Sequence, residues 1–287
     1  MSIGQALRAA TGMFPAGSRE RRDGILVFLH IPKTAGSTLV GVLEREYGPG
    51  AVLDLYDSTF GDEVAALTPE EIGRTRVVAG HFYFGVHERL PGPCHYVTFL
   101  RDPVERVVSH YGFVQRQPEH YLHEAASTLS LREYVRSCGR AEPNNDQTRL
   151  LAGRKLASSD GGSSRAMLPV AKRNLDRHAV VGLTEAFDAS LLLMRRVFGW
   201  GLPLYVSRNI GDRGEVVDPD TRELILTHNE LDAELNRYGR ERFENEIREL
   251  GDAFARELRV FRVLNRVYGK TRALASAPRA RRSPASA

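Results

Sequence analysis

Cysteine is scarce and long apolar runs are absent from this sequence of 287 residues. The two cysteines, Cys94 and Cys138, give no disulfide framework and no metal-ligand spacing. No segment reaches the roughly 20 apolar residues that cross a bilayer, and residues 1–24 lack the continuous apolar core of a signal sequence. These absences exclude a small disulfide-stabilised protein and a membrane-spanning one, while the length suits a single domain with a sizeable core.

Lysine is also scarce, since only four of the forty basic residues are lysines and the other thirty-six are arginines. A GC-rich genome explains this bias without any function. The net charge of +4 is modest for the length, although a mildly basic surface can attract an anionic cofactor or an acidic saccharide. No basic stripe is interleaved with aromatic residues, so a nucleic acid is not an expected partner.

Residues 25–48 have the pattern of a strand, a loop of small and hydroxyl-bearing residues, and a helix. The apolar run ILVFL that opens the segment is typical of a buried strand in a parallel sheet. In the following HIPKTAGST, Ala35 and Gly36 leave room for an anion, and Ser37 or Thr38 is expected to cap the helix. The unpaired amides at the start of that helix would attract phosphate oxygens.

Lys33 adds a full positive charge to this predicted phosphate loop. In the Walker pattern GxxxxGK[ST] the lysine follows the glycine-rich loop, whereas here it precedes the small residues. The alternative interpretation is an ordinary strand-to-helix turn that carries a surface lysine.

A second segment of the same kind begins with CHYVTFL, residues 94–100, which predicts another buried strand. The sequence RDPVERVVSHYGFV follows directly and predicts a helix, with Asp102 as the N-cap and Pro103 at the first helical position. Glu105 is expected to complete a capping box. Valines at helical spacing form an apolar stripe, and Arg106 is expected on the opposite, polar face.

Arg101 lies at the carboxyl end of this second strand, and Ser109 lies about two turns along the helix that follows. The fork of an arginine and a hydroxyl group would together hold a second, separate phosphate. A surface salt bridge is the alternative role of the arginine.

The two motifs, some sixty residues apart, together resemble those of sulfotransferases that use 3′-phosphoadenosine 5′-phosphosulfate (PAPS). The sequence looks most similar to the family of heparan sulfate 2-O-sulfotransferase and its small bacterial relatives, over roughly residues 24–245. NNDQTRLLAG at 144–153, VGLTEAFDASLLLM at 181–194 and LDAELNRYG at 231–239 also fit. The resemblance implies that PAPS is bound and released as 3′-phosphoadenosine 5′-phosphate (PAP). The implied cofactor-binding residues are Lys33, Thr34, Ala35, Gly36, Ser37 and Thr38 around the phosphosulfate, and Arg101 and Ser109 at the 3′-phosphate.

Alternating strands and helices predict a P-loop NTPase-like α/β fold, with a mostly parallel sheet, helices on both faces and a helical C-terminal third. TRVVAGH, residues 75–81, predicts a third strand, and AVVGL, residues 179–183, predicts a fourth, followed by a helix that Thr184 caps. Lys33, His81 and Arg101 then all follow the carboxyl ends of strands, which is where parallel sheets bind ligands.

Sulfuryl transfer requires that the acceptor hydroxyl lose its proton and that charge on the leaving phosphate be stabilised. We assign His81 as the general base, because histidine titrates near neutral pH and matches the Gly-His of the family. Gly80 beside it leaves room for a bulky acceptor, and His87 is the second choice of base. Lys33 is assigned to the leaving group. A structural role of His81 is the alternative, and no metal is required.

The acceptor is expected to be a glycan or a sugar-containing metabolite. Ala79 stands where the hexuronic-acid-specific branch has another histidine, so the resemblance does not fix the acceptor. Gln147 and Arg149 would contact acceptor or cofactor, or else pack a helix. Two other functions remain open, a nucleotide kinase or hydrolase on a related P-loop scaffold and a non-catalytic relative that binds PAP or glycan. The missing GK[ST] and the lack of a Mg²⁺-binding aspartate count against the kinase.

Three parts are predicted along the chain: an N-terminal extension at 1–23, a sulfotransferase domain at 24–270, and a disordered tail at 271–287 that lacks core-forming residues. Loops rich in glycine are expected at 158–164 and 207–215. The vertebrate relatives are membrane-anchored Golgi enzymes, so the missing anchor predicts a cytoplasmic protein. The resemblance to the small bacterial relatives implies a bacterial one.

Overall fold

A computed structural model describes residues 23–56, 64, 67–138, 143–153, 164–206 and 217–276 of the chain. The two predicted glycine-rich loops lie outside these residues, apart from Ser164. Nearly all of the predicted N-terminal extension and the residues from 277 onward also lie outside them.

A five-stranded parallel sheet forms the centre of the molecule, with the strand order β2-β3-β1-β4-β5. Every residue of the central strand β1 is buried, as its apolar sequence predicts. The predicted strands 25–29, 94–100 and 179–183 and the α/β fold class are confirmed. The strands are β1 (Ile25–Leu29), β2 (Val52–Leu55), β3 (Val77–Gly80), β4 (Cys94–Leu100) and β5 (Ala179–Leu183).

Helices surround the sheet and make up the C-terminal part of the described chain. None of them, in the residues described, is long and apolar enough to cross a membrane. The last helix extends to Ser276, and its backbone is interrupted at Gly251, where φ is 63°. The helices are α1 (Gly36–Tyr47), α2 (Pro69–Arg74), α3 (Pro103–Val114), α4 (His123–Thr128), α5 (Leu131–Ser137), α6 (Asp146–Ala152), α7 (Met167–His178), α8 (Phe187–Phe198), α9 (Pro219–His228) and α10 (Glu230–Ser276).

Arg106 is fully buried, so its expected place on the polar face of α3 was wrong. Its guanidinium lies 3.6 Å from a carboxylate oxygen of Asp146 and 3.8 Å from one of Asp232, both of which are also buried. Asp232 in turn accepts hydrogen bonds from the backbone amides of Gln147 and Thr148, at 3.2 and 2.8 Å. Burial of these charges is tolerated because each carboxylate is paired and hydrogen-bonded. The network ties the start of α6 to α3 and α10.

The predicted N-cap of α3 is confirmed, because the Asp102 side chain accepts hydrogen bonds from the amides of Val104 and Glu105. The capping box predicted with it does not form. Glu105 instead lies 3.7 Å from the Arg101 guanidinium, an ion pair that draws its carboxylate away from the cap. The predicted cap at Thr184 was also wrong, since its hydroxyl donates to the carbonyl of Leu100 at 3.2 Å.

Candidate active site

Four neighbouring strands deliver polar side chains to one edge of the sheet. Lys33 follows β1, His81 follows β3 and Arg101 follows β4, and both β3 and β4 pair with β1 in parallel. The structure therefore brings the three predicted side chains to the same edge. It also adds Tyr56, which follows β2 directly and which the sequence reasoning missed.

The loop after β1 has an unusual backbone. Lys33 and Ala35 both adopt left-handed conformations, with φ of 70° and 66°. Such conformations cost about 1–3 kcal/mol each for residues other than glycine, and they cluster at functional sites. Alternation of left- and right-handed residues turns successive amides inward and makes a concave anion-binding nest. The loop therefore has a shape that suits a phosphate group.

The N-terminus of α1 is left without a side-chain cap. Ala35 occupies the N-cap position and makes no side-chain hydrogen bond, so the predicted cap by Ser37 or Thr38 was wrong. Both hydroxyl residues lie inside the first turn instead, and Thr34 is buried with its hydroxyl donating to the carbonyl of Ile31. The positive end of the α1 dipole, with no side-chain cap at Ala35, suits the binding of an anion.

The Lys33 ammonium lies 4.2 Å from the centre of the Phe113 ring, which projects from α3. Burial, and then the positive charges of Arg101 and Arg116, lower the pKa of Lys33 to about 8. The lysine still carries most of its charge at neutral pH. Ser109 is four residues before Phe113, so it lies on the same face of α3 as the ring that contacts the lysine.

Arg101 connects the two predicted phosphate sites. One of its guanidinium nitrogens donates to the carbonyl of Lys33 at 3.0 Å, which holds the left-handed loop residue in place. Its backbone is held by Gln147, whose amide oxygen accepts from the Arg101 N–H and whose amide nitrogen donates to the Arg101 carbonyl, both at 3.0 Å. Gln147 is itself fully buried. Two roles were considered for Gln147, contact with a ligand and packing of a helix. The structure shows packing of α6 against the end of β4.

Arg149, the other residue of that segment, forms an ion pair with Asp146 three residues earlier. This contact belongs to the buried charge network around Arg106. Asp102, the residue after Arg101, is also held in place. Its backbone amide donates a hydrogen bond to the carboxylate of Glu185 at 2.7 Å.

His81 lies in a compact cluster with His30 and Tyr56. Its ring centre is 4.6 Å from that of His30 and 4.7 Å from that of Tyr56, and the His30 Nδ1 lies 2.8 Å from the Tyr56 hydroxyl oxygen. Burial, together with the charges of His81 and Lys33, lowers the pKa of His30 well below its usual range. His30 is therefore neutral at physiological pH, and His81 faces no fixed charge from it.

Gly36 and Gly80 are packed closely against other parts of the protein. A Cβ on Gly36 would lie 1.8 Å from the Nε2 of His30, and one on Gly80 would lie 2.5 Å from the carbonyl oxygen of Leu55. The space beside Gly36 is thus filled by the His30 ring, and that beside Gly80 by the backbone of β2. The glycines allow close packing of the protein on the side where a Cβ would lie, and the room expected for ligands stays a prediction.

His87, the second choice of base, lies elsewhere. Its Nδ1 is 2.9 Å from the hydroxyl oxygen of Tyr96, and its ring centre is 5.6 Å from that of His178. Tyr96 pairs with Ala179 at the start of β5 and precedes Arg101 by five residues, which is about 16 Å along a strand. His87 therefore contacts the sheet near the start of β4, at the end opposite to the candidate site. In the described ranges, no group of three or more His, Cys, Asp or Glu side chains could hold a metal ion.

Comparison with known proteins places this geometry in a family. A model of the galactose-3-O-sulfotransferase family matches residues 4–277, nearly the whole chain. The chain belongs to the galactose-3-O-sulfotransferase family. The predicted sulfotransferase class is confirmed at this level, and PAPS is the sulfate donor that the family uses.

Heparan-sulfate 6-O-sulfotransferases are among the relatives of this family member. It is 29% identical to human heparan-sulfate 6-O-sulfotransferase 1 over 54% of this chain and 45% of the human one. It is 29% identical to zebrafish heparan-sulfate 6-O-sulfotransferase 2 over 77% of this chain and 58% of the relative. The chain thus spans about half the length of these two proteins. Chicken heparan-sulfate 6-O-sulfotransferase 2 is 28% identical, over 80% and 71% of the two chains.

These relatives correct two expectations. They support the broader class of carbohydrate sulfotransferases and not the narrower 2-O branch that the motifs suggested. They also overturn the cytoplasmic location, because the heparan-sulfate sulfotransferases of animals act in the Golgi lumen. The missing anchor, from which that location was inferred, does not determine where the protein acts.

Proposed function

We propose that this chain transfers a sulfuryl group from PAPS to a hydroxyl group of a glycan. The observation that carries the proposal is the contact between Arg101 and the carbonyl of Lys33. This contact joins the concave, positively charged loop after β1 to a second cation, Arg101, at the end of the neighbouring strand β4. A donor with a phosphate group at each end of its ribose would span these two sites.

In this proposal the amides at the start of α1, with Thr34 to Thr38 around them, hold the 5′-phosphosulfate. Arg101 and Ser109 hold the 3′-phosphate, because a guanidinium fork and a hydroxyl match phosphate oxygens. The donor supplies the sulfuryl group and leaves as PAP. The nest at Lys33 and Ala35 and the absence of a side-chain cap on α1 support this assignment.

His81 would accept the proton of the acceptor hydroxyl as that oxygen attacks sulfur. Lys33 would stabilise the negative charge that develops on the leaving phosphate, and the fixed strand ends would keep the two reactants in line. The rings of the neutral His30 and of Tyr56 pack against His81, where they would orient its ring. We propose that residues 24–270 form the domain that performs this reaction.

The acceptor class follows from the names of the relatives, which are sulfotransferases of galactose and of heparan sulfate. We propose a carbohydrate hydroxyl on a glycan or a sugar-containing metabolite. The family match disfavours the nucleotide kinase and the non-catalytic alternative.

The test is transfer of labelled sulfate from PAPS to a panel of galactosides and desulfated heparan chains. We expect His81→Ala to lower turnover about 10²–10⁴-fold, as removal of a general base does, and to leave PAP affinity nearly intact. Lys33→Ala should also lower turnover more than it lowers PAP affinity. His87→Ala is the matched control and should behave as wild type. Normal turnover of the His81 variant would refute the assigned base, and absence of transfer to every sugar would refute the acceptor class.

A further inference from the structure

The charge of the chain is distributed unevenly between its last thirty residues and the rest. Eight of the forty basic residues, and none of the thirty-six acidic ones, lie after Glu257. The last thirty residues therefore carry a charge of +8, whereas residues 1–257 carry −4 in total. Such asymmetry within one chain points to an anionic partner for the basic end. The proposed transfer reaction makes no use of this segment.

The second half of α10 places part of this charge on one exposed face. Arg259, Val263, Arg266, Val267 and Lys270 recur at spacings of three and four residues and are all exposed. We call these five residues the basic stripe. It runs about 17 Å along the helix. The other face of α10 is held by the core, where Phe254 and Phe261 are buried. The stripe is thus a fixed surface of the folded domain.

Within the described residues, the cations of the stripe differ from the neighbouring Arg262 in having no ion-pair partner. Arg262, which lies beside the stripe, pairs with Asp188 of α8 at 3.3 Å. Within the described chain, no carboxylate lies at ion-pair distance from Arg259, Arg266 or Lys270. Their charges are therefore available to something outside the molecule. The sequence adds Arg279, Arg281 and Arg282 after the end of the helix.

Two exposed valines lie between these cations. Val263 is 59% exposed and Val267 is 42% exposed, and they are two of the few large apolar side chains that the described chain leaves in water. A sulfated or carboxylated sugar chain would satisfy the cations but would leave the valines without an apolar partner. A bilayer with anionic headgroups offers both phosphate groups and an apolar layer just beneath them.

We propose that the basic stripe of α10 docks this domain on an anionic lipid surface. The cations would contact headgroup phosphates while the two valines enter the boundary of the acyl chains. The contact would be peripheral and sensitive to salt, because exposed charges are screened beyond about 8–10 Å at physiological ionic strength. It is independent of the donor site, since the stripe uses none of the residues assigned to PAPS or the acceptor.

The experiment is sedimentation of the full chain with vesicles of phosphatidylcholine alone or with one-third phosphatidylglycerol. The wild-type protein should bind the acidic vesicles, bind neutral ones weakly, and be released by salt. Combined Arg259→Glu, Arg266→Glu and Lys270→Glu should weaken binding at least about 100-fold, since each lost cation near such a surface alone contributes about fivefold. The control combines Arg136→Glu, Arg173→Glu and Arg222→Glu, exposed residues of α5, α7 and α9 with the same change in net charge.

Retention of binding by the control variant, with loss in the stripe variant, supports the proposal. Equal loss of vesicle binding in both variants would show that only net charge matters and would overturn the proposal. Failure of the wild-type chain to bind acidic vesicles, or binding to heparin without binding to vesicles, would also overturn it. Val263→Ser with Val267→Ser should weaken binding to the acidic vesicles several-fold at low salt, where the wild-type protein is bound. Unchanged binding of that variant would refute the choice of a lipid surface over a sugar polyanion.

Discussion

Gln147 offers the sharpest perturbation of the candidate site that keeps every residue proposed to contact the donor. Gln147→Met keeps the length and the volume of the side chain but removes both hydrogen bonds to the backbone of Arg101. A backbone group left without its partner costs about 1–3 kcal/mol when it is shielded from water. We therefore expect the variant to lose about 3 kcal/mol of unfolding free energy. For a domain of this size this lowers Tm by about 6–12 °C.

The functional effect follows from the position of the Arg101 guanidinium. Once its backbone is released, the guanidinium no longer holds both the Lys33 carbonyl and a 3′-phosphate at fixed positions. Loss of about 1.4 kcal/mol from one charge-assisted hydrogen bond weakens PAP binding about tenfold. AMP lacks the 3′-phosphate, so its affinity should change much less.

The assay is titration calorimetry with PAP and AMP beside thermal unfolding of the same samples. Gln115→Met is the matched control, because the Gln115 side chain donates to the Ala126 carbonyl at 3.0 Å and not to the backbone of Arg101. The control should lose about 1 kcal/mol of unfolding free energy and keep the wild-type ratio of PAP to AMP affinity. A Gln147→Met variant that unfolds more easily but keeps that ratio would show that Gln147 is only structural.

Two further predictions concern the loop and its lysine. Gly36→Ala should abolish donor binding, because the new Cβ would lie 1.8 Å from His30 Nε2. Gly50→Ala is the control and should bind PAP normally, because no atom lies within 4 Å of its new Cβ. Normal PAP affinity of the Gly36 variant would refute the tight packing. The Lys33 charge, with its pKa lowered to about 8, is present below that pH and lost above it. A pH–rate profile should therefore show kcat/KM falling as pH rises through about 8, and persistence of this fall in Lys33→Arg would exclude the lysine as its cause.

The strands that carry the site could be predicted from sequence because each is a short apolar run in a parallel sheet. ILVFL and CHYVTFL are buried throughout most of their length, so their composition alone marks them as central strands. Parallel strands end at the same edge of a sheet, so the residues that follow them lie close together. Lys33, His81 and Arg101 could therefore be predicted together. Strand β2 was missed since it is a four-residue edge strand with Asp54 exposed, and Tyr56 was missed with it.

The errors share a physical origin in tertiary contacts that override local preference. Arg106 has helical spacing on a polar face, but two buried carboxylates from α6 and α10 draw it inward. Thr184 has the sequence position of a helix cap, but its hydroxyl donates to the carbonyl at the end of β4, and the helix begins only at Phe187. Gln147 gives no local signal of its role, because its partner is 46 residues away in the chain.

The central claim is that two phosphate sites at adjacent strand ends bind 3′-phosphoadenosine nucleotides. Titration calorimetry of the wild-type chain and of Arg101→Ala, with PAP and AMP, tests it most directly. We expect the wild-type protein to bind PAP about 10–100-fold more tightly than AMP, as one or two charge-assisted hydrogen bonds to the 3′-phosphate would provide. Arg101→Ala should lose most of that preference. Equal affinity of the wild-type protein for PAP and AMP would contradict the account.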